Sequence, residues 1–470
     1  MIDFTEQHPA SSQAYRRQNV WDGMSGGDRD LAMSFSEDYK KFLDAAKTER
    51  EAVVAALGYL DGAGFRPLGE FARLKPGDKV YTVNRRKALI AAVIGNNPVE
   101  NGFNIVGAHI DSPRLDLKPQ PLYEEEGLAL LKTHYYGGIK KYQWLSVPLA
   151  LHGVVVKGSG VAVPVVIGQN PGDPVFTISD LLPHLAKDQM DKKMADAVPG
   201  ENLNILVGGI PLAGAELKDR FKLAVLEYLG QRYGITEEDL ISAELELVPA
   251  WSARDIGLDR SFVGGYGQDD RVCAYTSLRA AVETTGPGRT TITVLADKEE
   301  IGSSGNTGME AAFFTNAAAE IASRCASGYS ELLLRRVLAN SRALSADVNA
   351  GLDPNYLDVF EKMNAARLGY GVVVTKYTGS KGKYASNDAH AEVMAFVRQL
   401  FNSAGVIWQT GELGKVDQGG GGTIAHLLAG HGMDVLDCGV ALLGMHSTFE
   451  VASKADIYMA YKGYKAFLAS

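Results

Sequence analysis

The residues best suited to chemistry in this sequence sit one by one at the ends of apolar runs. Asp297-Lys298-Glu299-Glu300 follows TITVLA and precedes the turn-rich IGSSGNTG. Two adjacent glutamates at a strand end can diverge, one towards a metal ion and one towards the water that the ion activates. Carboxylate oxygen is a good zinc ligand, and a free carboxylate beside it can act as general base. NIVGAHIDSP places His109 at the end of a second apolar run, with Asp111 two residues on, where it can ligate or orient the imidazole, and Pro113 ending regular structure. YGQDDRVCAYTSL sets Asp269 and Asp270 just before a helix, ALSADVNAG sets Asp347 after a short apolar stretch, and LLGMHSTFE sets His446 in an apolar run.

Taken singly, each has an ordinary explanation: a solvated acidic turn, an acidic helix N-cap, a structural histidine. Taken together they are a different object. His109, Asp269, Glu300, Asp347 and His446 comprise two histidines and three carboxylates, which suits a pair of zinc ions with one aspartate bridging and Glu299 left as base. Asp270 competes with Asp269 for the bridge, since the two are adjacent.

The elements that must carry these residues follow from periodicity. Short β-branched runs predict strands over Asn104–Ala108, Thr290–Leu295, Gly371–Thr375, Val406–Gln409 and Met433–Cys438. Amphipathic stretches predict helices over Asp270–Thr284, Glu310–Ala326, Ala389–Ala404 and Lys454–Leu468. Such alternation is that of an α/β sheet, in which ligands bind beyond the carboxyl ends of the strands. The middle differs: HGVVVKGSGVAVPVVIG, residues 152–168, predicts paired strands joined by a tight turn. The expected organisation is one domain from 1–112 and 246–470, interrupted by a β-rich insertion over 113–245.

Composition sets the class. The 470 residues are 46% hydrophobic and 22% charged, ordinary for a globular enzyme. The formal net charge of −9 argues against nucleic-acid binding, which draws on basic patches. No apolar run reaches the roughly 20 residues of a spanning helix, and the polar, acidic start MIDFTEQHPASSQAYRRQN is unlike a signal peptide, so a cytoplasmic protein without membrane partners is expected. Three scattered cysteines make neither a disulfide framework nor a zinc-thiolate site. Gly419–Gly422 lacks the lysine of a phosphate loop, and Ser303-Ser304 lacks the GxSxG elbow of a serine hydrolase.

Several of these motifs, GAHIDSPRLDLKPQPLYE, DDR, DKEEIGSSGNTG, SADVNAGLDPNY and GGGGTIAHLL…LLGMHSTFE, resemble in order and spacing those of the aspartyl-aminopeptidase family of metallopeptidases. That family includes the vacuolar aminopeptidase I type, and the chain looks closest to its bacterial branch. The resemblance covers nearly the whole chain. It implies an α/β zinc-exopeptidase-like mixed sheet flanked by helices, with the insertion serving dimerisation, and a homo-oligomer as large as a dodecamer. It implies hydrolysis of the N-terminal bond of peptides at two divalent ions, zinc before cobalt or manganese. It assigns Asp269 as bridge, His109 and Asp347 to one side, Glu300 and His446 to the other, and Glu299 as base.

It also assigns His184, in LLPHLAKDQ, to a neighbouring subunit's site, and Lys376 and Tyr384, in TKYTGSKGKYASN, to substrate contact. One departure stands out. Where many members carry histidines after the metal-binding Asp, this chain has Ala350, which removes a support for acidic first residues. Two alternatives stay open on sequence: another amide hydrolase on the same scaffold, a carboxypeptidase or deacylase, and a non-catalytic assembly protein.

Overall fold

Alternating side chains along short apolar strands build a nine-stranded sheet that buries both of its faces. Along Ala88–Val93, Leu89, Ala91 and Val93 enter one apolar cluster and Ile90 and Ala92 the other. Asn104–His109 divides in the same way, with Val106 and Ala108 opposite Ile105, as does Thr291–Ala296, with Leu295 opposite Ile292 and Val294. The period of two is that of a pleated strand, and burial on both faces requires near-continuous apolar sequence. The computed structural model describes residues 14–214 and 216–470; residues 1–13, part of the N-terminal stretch read for a signal peptide and of the first expected domain, lie outside it.

The strands run in the order Arg66–Pro67, Lys79–Asn84, Ala88–Val93, Thr291–Ala296, Asn104–His109, Arg342–Ser345, Asp434–Gly439, Val372–Thr375 and Trp408–Thr410. The four from Thr291–Ala296 to Asp434–Gly439 are mutually parallel, and the sheet as a whole is mixed. One face is covered by helices Gly26–Ala45, Glu49–Gly62, Gln268–Glu283, Ala391–Ser403 and Lys454–Ala469, through Phe35, Leu60, Leu278, Phe401 and Phe467 among others. The other is covered by Phe313–Cys325, Glu331–Ala339 and Ala425–Ala429 through Ile321, Val337 and Leu428. Helix Glu49–Gly62 shows local sequence at work. Thr48 Oγ1 accepts from Glu51 N at 3.2 Å, and Thr48 N donates to Glu51 Oε2 at 3.1 Å, a reciprocal cap that fixes its start.

Residues 114–249 contribute a second, six-stranded antiparallel sheet. Its order is Ala162–Ile167, Leu149–Val156, Ala243–Pro249, Arg114–Glu125, Leu128–Tyr136 and Ile205–Gly208, with its own apolar cluster around Trp144, Leu247 and Ile205. Strands 149–156 and 162–167 pair antiparallel, as the valine–glycine alternation predicts, and Ala243–Pro249 runs past residue 245. A third, five-stranded sheet joins Arg254–Ile256, Phe262–Gly265, Glu450–Ser453, Ala441–Leu443 and Asn349–Ala350.

A buried ion network ties the six-stranded sheet to the central one and its helix Glu49–Gly62. Arg114 Nε lies 3.2 Å from Glu246 Oε2, its guanidinium 3.6 Å from Glu49 Oε2, and Lys87 Nζ 2.9 Å from Glu49 Oε1. Burial works to raise the Glu49 carboxyl, but Arg114 and Lys87 together hold it well below the usual range. No described helix is long and apolar enough to cross a membrane.

Candidate metal centre

Four neighbouring parallel strands end on one edge of the central sheet, and the ligand-type residues gather in the loops beyond that edge, where an open α/β sheet places its site. His109 closes its strand, buried. Its Nδ1 lies 3.4 Å from the Asp111 carbonyl and 3.6 Å from Asp111 Oδ1. Its Nε2 lies 3.5 Å from Asp347 Oδ1 and 3.8 Å from Asp269 Oδ1. A proton on Nδ1, facing Asp111, leaves the Nε2 lone pair towards the other two carboxylates.

The Glu299-Glu300 pair stands on a short 3-10 turn, Glu299–Ile301, entered through Lys298 at φ 68°. Asp111 clamps this turn from outside: its Oδ1 accepts from Glu299 N at 3.0 Å and its Oδ2 from Glu300 N at 3.1 Å. Burial would raise the Asp111 carboxyl, but hydrogen bonds from His109 and Tyr136 bring it below its ordinary value. Asp269 begins helix Gln268–Glu283, and its Oδ2 lies 3.0 Å from His446 Nε2. Glu300 Oε1 lies 3.4 Å from the same nitrogen. His446 sits on a left-handed backbone, φ 63°, and its Nδ1 lies 2.9 Å from the Gly138 carbonyl, which again leaves Nε2 as the lone-pair atom.

The donors form overlapping triads, each with ligand atoms within 4.8 Å of one another: His109–Glu299–Asp347, His109–Asp270–Glu300 and Asp269–Glu300–His446. Crowding has an electrostatic signature. Burial, with the charges of Asp347, Asp111 and Asp269, outweighs the pull of His109 and pushes Glu299 up to about 8. Burial disfavours the His446 cation, yet the Asp269 hydrogen bond and charge, with Glu300, carry it up to about 11. Burial lifts Asp270 to about 6 against the pull of Arg271 and His109, and neither of its oxygens has a hydrogen-bond partner. Packed carboxylates that hold protons and imidazoles that hold on to theirs are groups a divalent cation would relieve, and nitrogen with carboxylate oxygen is a zinc donor set.

A cleft of about 460 Å³ opens over this cluster. Asp269, Glu299, Glu300, Asp347 and His446 form one wall, and Tyr377, Thr378, Thr423 and His426 are among the residues that line the rest. Among the described residues no lysine or arginine lines it. Lys376 lies instead by a neighbouring hollow with Met394 and Trp408, its Nζ 2.7 Å from Asp388 Oδ1. Tyr384 is 74% exposed, and His184 is exposed in the short turn Pro183–Leu185 of the insertion. Neither lines the cleft of its own chain. The neutral wall at Tyr377 and Thr378 carries no chemical signal in its residue types alone, and no local pattern marks the anchoring of His446 through Gly138.

The model of the aminopeptidase I zinc metalloprotease (M18) family matches residues 42–468. The chain belongs to the M18 family. A probable M18 family aminopeptidase 1 of Clostridium acetobutylicum is 53% identical over 96% of this chain and 98% of that protein. Its counterpart in Thermotoga maritima is 51% identical over 96% and 98%. The crystal structure of the T. maritima M18 aminopeptidase superposes with a TM-score of 0.93, at 50% identity over 97% of this chain and 99% of that one. The expected resemblance and α/β class therefore stand, and the M18 chain is a hydrolase, a metallo-aminopeptidase of the zinc protease class. The S. cerevisiae mApe1 dodecamer, 22% identical with a TM-score of 0.74, shares the M18 fold.

Proposed function

We propose that this aminopeptidase works with two divalent ions, zinc foremost, held by His109, Asp269, Glu300, Asp347 and His446, with Glu299 as general base. The carrying observation is Asp269: one of its oxygens faces His109 Nε2 at 3.8 Å and the other faces His446 Nε2 at 3.0 Å. Asp270 meets His109 only through Nδ1, at 3.7 Å, and turns its other oxygen to Arg271 at 3.2 Å, which favours Asp269 as bridge. His109 and Asp347 then serve one ion, and Glu300 and His446 the other.

When bound, such a pair polarises the scissile carbonyl and lowers the pKa of the attacking water. The chain's own residues do the rest. Glu299, mostly buried at the cleft wall, takes a proton from that water and passes it to the leaving amine. The acidic wall receives the free α-ammonium of the substrate, and the neutral wall around Tyr377, Thr378 and Thr423 receives its first side chain. With Ala350 lacking a charge and no lysine or arginine lining the cleft among the described residues, a neutral first residue fits better than an acidic one.

The six-stranded sheet over 113–245 and a little beyond is proposed as the oligomerisation insertion. Leu182, Leu185, Met190 and Met194 project from it, 49–77% exposed, around His184. Such a patch suits a second copy, and a partner's cleft would then receive His184; the dodecamer of the S. cerevisiae relative fits that reading. The test compares metal-reconstituted protein on unblocked and N-acetylated peptides. Release of the first residue from the unblocked peptide alone is expected, whereas hydrolysis of the acetylated form would make the enzyme a different amide hydrolase.

A further inference from the structure

One buried carboxylate outside the ligand set holds two ligand loops in register. Glu450 opens strand Glu450–Ser453 and is 1% exposed. Its Oε1 accepts from His446 N at 2.7 Å; its Oε2 accepts from Gln268 N at 2.5 Å and Asp269 N at 3.2 Å. Its backbone carbonyl accepts from Gln268 Nε2 at 2.6 Å.

These contacts answer two local deficits. Helix Gln268–Glu283 starts at Gly267, φ 74°, a residue with no side chain to cap the first amides. The Glu450 carboxylate supplies that cap from a distant strand, at the positive end of the helix dipole. His446 adopts its left-handed backbone four residues earlier, and its amide is tied to the same carboxylate. Each oxygen thus serves a different loop, and between those loops His446 Nε2 and Asp269 Oδ2 stand 3.0 Å apart.

Resting on the two-ion reading above, we propose that Glu450 is a positioning residue that sets the spacing of Asp269 and His446 and so the affinity of the ion they share. A glutamine at 450 has one oxygen and could accept for one loop only, while its amide would point N–H at N–H towards the other. Loss of such support around metal ligands costs about 10–100-fold in affinity or activity.

The experiment uses the full chain, stripped and reconstituted, with zinc affinity measured by chelator competition, the visible spectrum of the Co²⁺ form, and Tm. Glu450→Gln is compared with Asp456→Asn. Asp456 is also a fully buried carboxylate that accepts two backbone amides, Gly369 N and Gly371 N, both at 2.7 Å, in a loop outside the cleft. Expected: Glu450→Gln loses about 10–100-fold in affinity for one of two zinc ions and changes the Co²⁺ spectrum. Asp456→Asn lowers Tm and leaves both unchanged. Unchanged affinity and spectrum in Glu450→Gln, or an equal loss in Asp456→Asn, overturns the proposal. If Glu450→Gln does not fold, Glu450→Asp, one methylene short, is judged by the same criteria. Failure of the wild type itself to take up two ions would sink the two-ion reading instead.

Discussion

Tyr136, in the six-stranded sheet, donates its hydroxyl at 2.8 Å to Asp111 Oδ2, in the central domain. Asp111 in turn holds the amides of Glu299 and Glu300 and faces His109 Nδ1, so a residue of the six-stranded sheet reaches the proposed ligand set through a single carboxylate. The Arg114 guanidinium stacks 3.8 Å over the Tyr136 ring, which links this contact to the buried ion network.

Removing the hydroxyl should loosen that carboxylate without emptying the site. Tyr136→Phe is expected to lower kcat about ten-fold, with KM and zinc content little changed, as for other residues that orient metal ligands. Steady-state kinetics with metal analysis decides; wild-type kcat would show that the Asp111 clamp is sufficient without Tyr136.

Glu299→Gln keeps size and hydrogen-bonding shape but cannot accept a proton. A fall in kcat of about 10²–10⁴-fold at constant zinc content is expected, the range of a positioned general base. Full activity with the ions bound would remove Glu299 from that role.

Zinc uptake should depend on pH in a defined direction. In the metal-free protein His446, raised to about 11, and Glu299, raised to about 8, are mostly protonated at pH 7. An ion requires the His446 lone pair, so binding releases protons and affinity rises with pH, by about tenfold per unit for each proton displaced. The share from Glu299 flattens above about 8. Chelator competition at pH 6, 7 and 8 measures this, and a flat profile contradicts it.

Aminoacyl chromogenic substrates test the cleft. Neutral first residues are expected to exceed aspartyl and glutamyl ones in kcat/KM by at least about ten-fold, because an unpaired carboxylate would have to be desolvated against the neutral wall, where among the described residues no lysine or arginine meets it. Preference for the acidic pair would mean that a basic group from another subunit completes the cleft.

Arg114→Met tests the tie between the sheets. It strands Glu246, which is buried, and leaves the buried Glu49 to Lys87 alone, and a loss of about 3–5 kcal/mol is expected from breaking such a network on one side. Denaturant unfolding measures it; a loss below about 1 kcal/mol would show that the carboxylates simply take up protons.

The candidate donors and the strand ends they occupy were legible in the letters alone. Ligand-type residues at the ends of apolar runs become residues at one sheet edge because strand period and parallel order leave them nowhere else to go. Predicted helix Lys454–Leu468 and strand Asn104–Ala108 match the observed elements to within a residue, since long buried stretches have an unambiguous period. The N-terminal helices Gly26–Ala45 and Glu49–Gly62 carry no ligand-type pattern of their own, and their place on the sheet follows only from packing.

Which candidate donor faces which depends on packing alone. Asp269 and Asp270 are equivalent as letters, but adjacent helical residues point about 100° apart, so one turns between the two imidazoles and the other towards Arg271. Nor could any local pattern show that Glu450 caps a helix that starts 182 residues earlier, or that Gly138 orients His446 from 308 residues away. Those contacts exist only once separate strands have been packed side by side, because hydrogen bonds act across a few ångströms of space, whatever the distance along the chain.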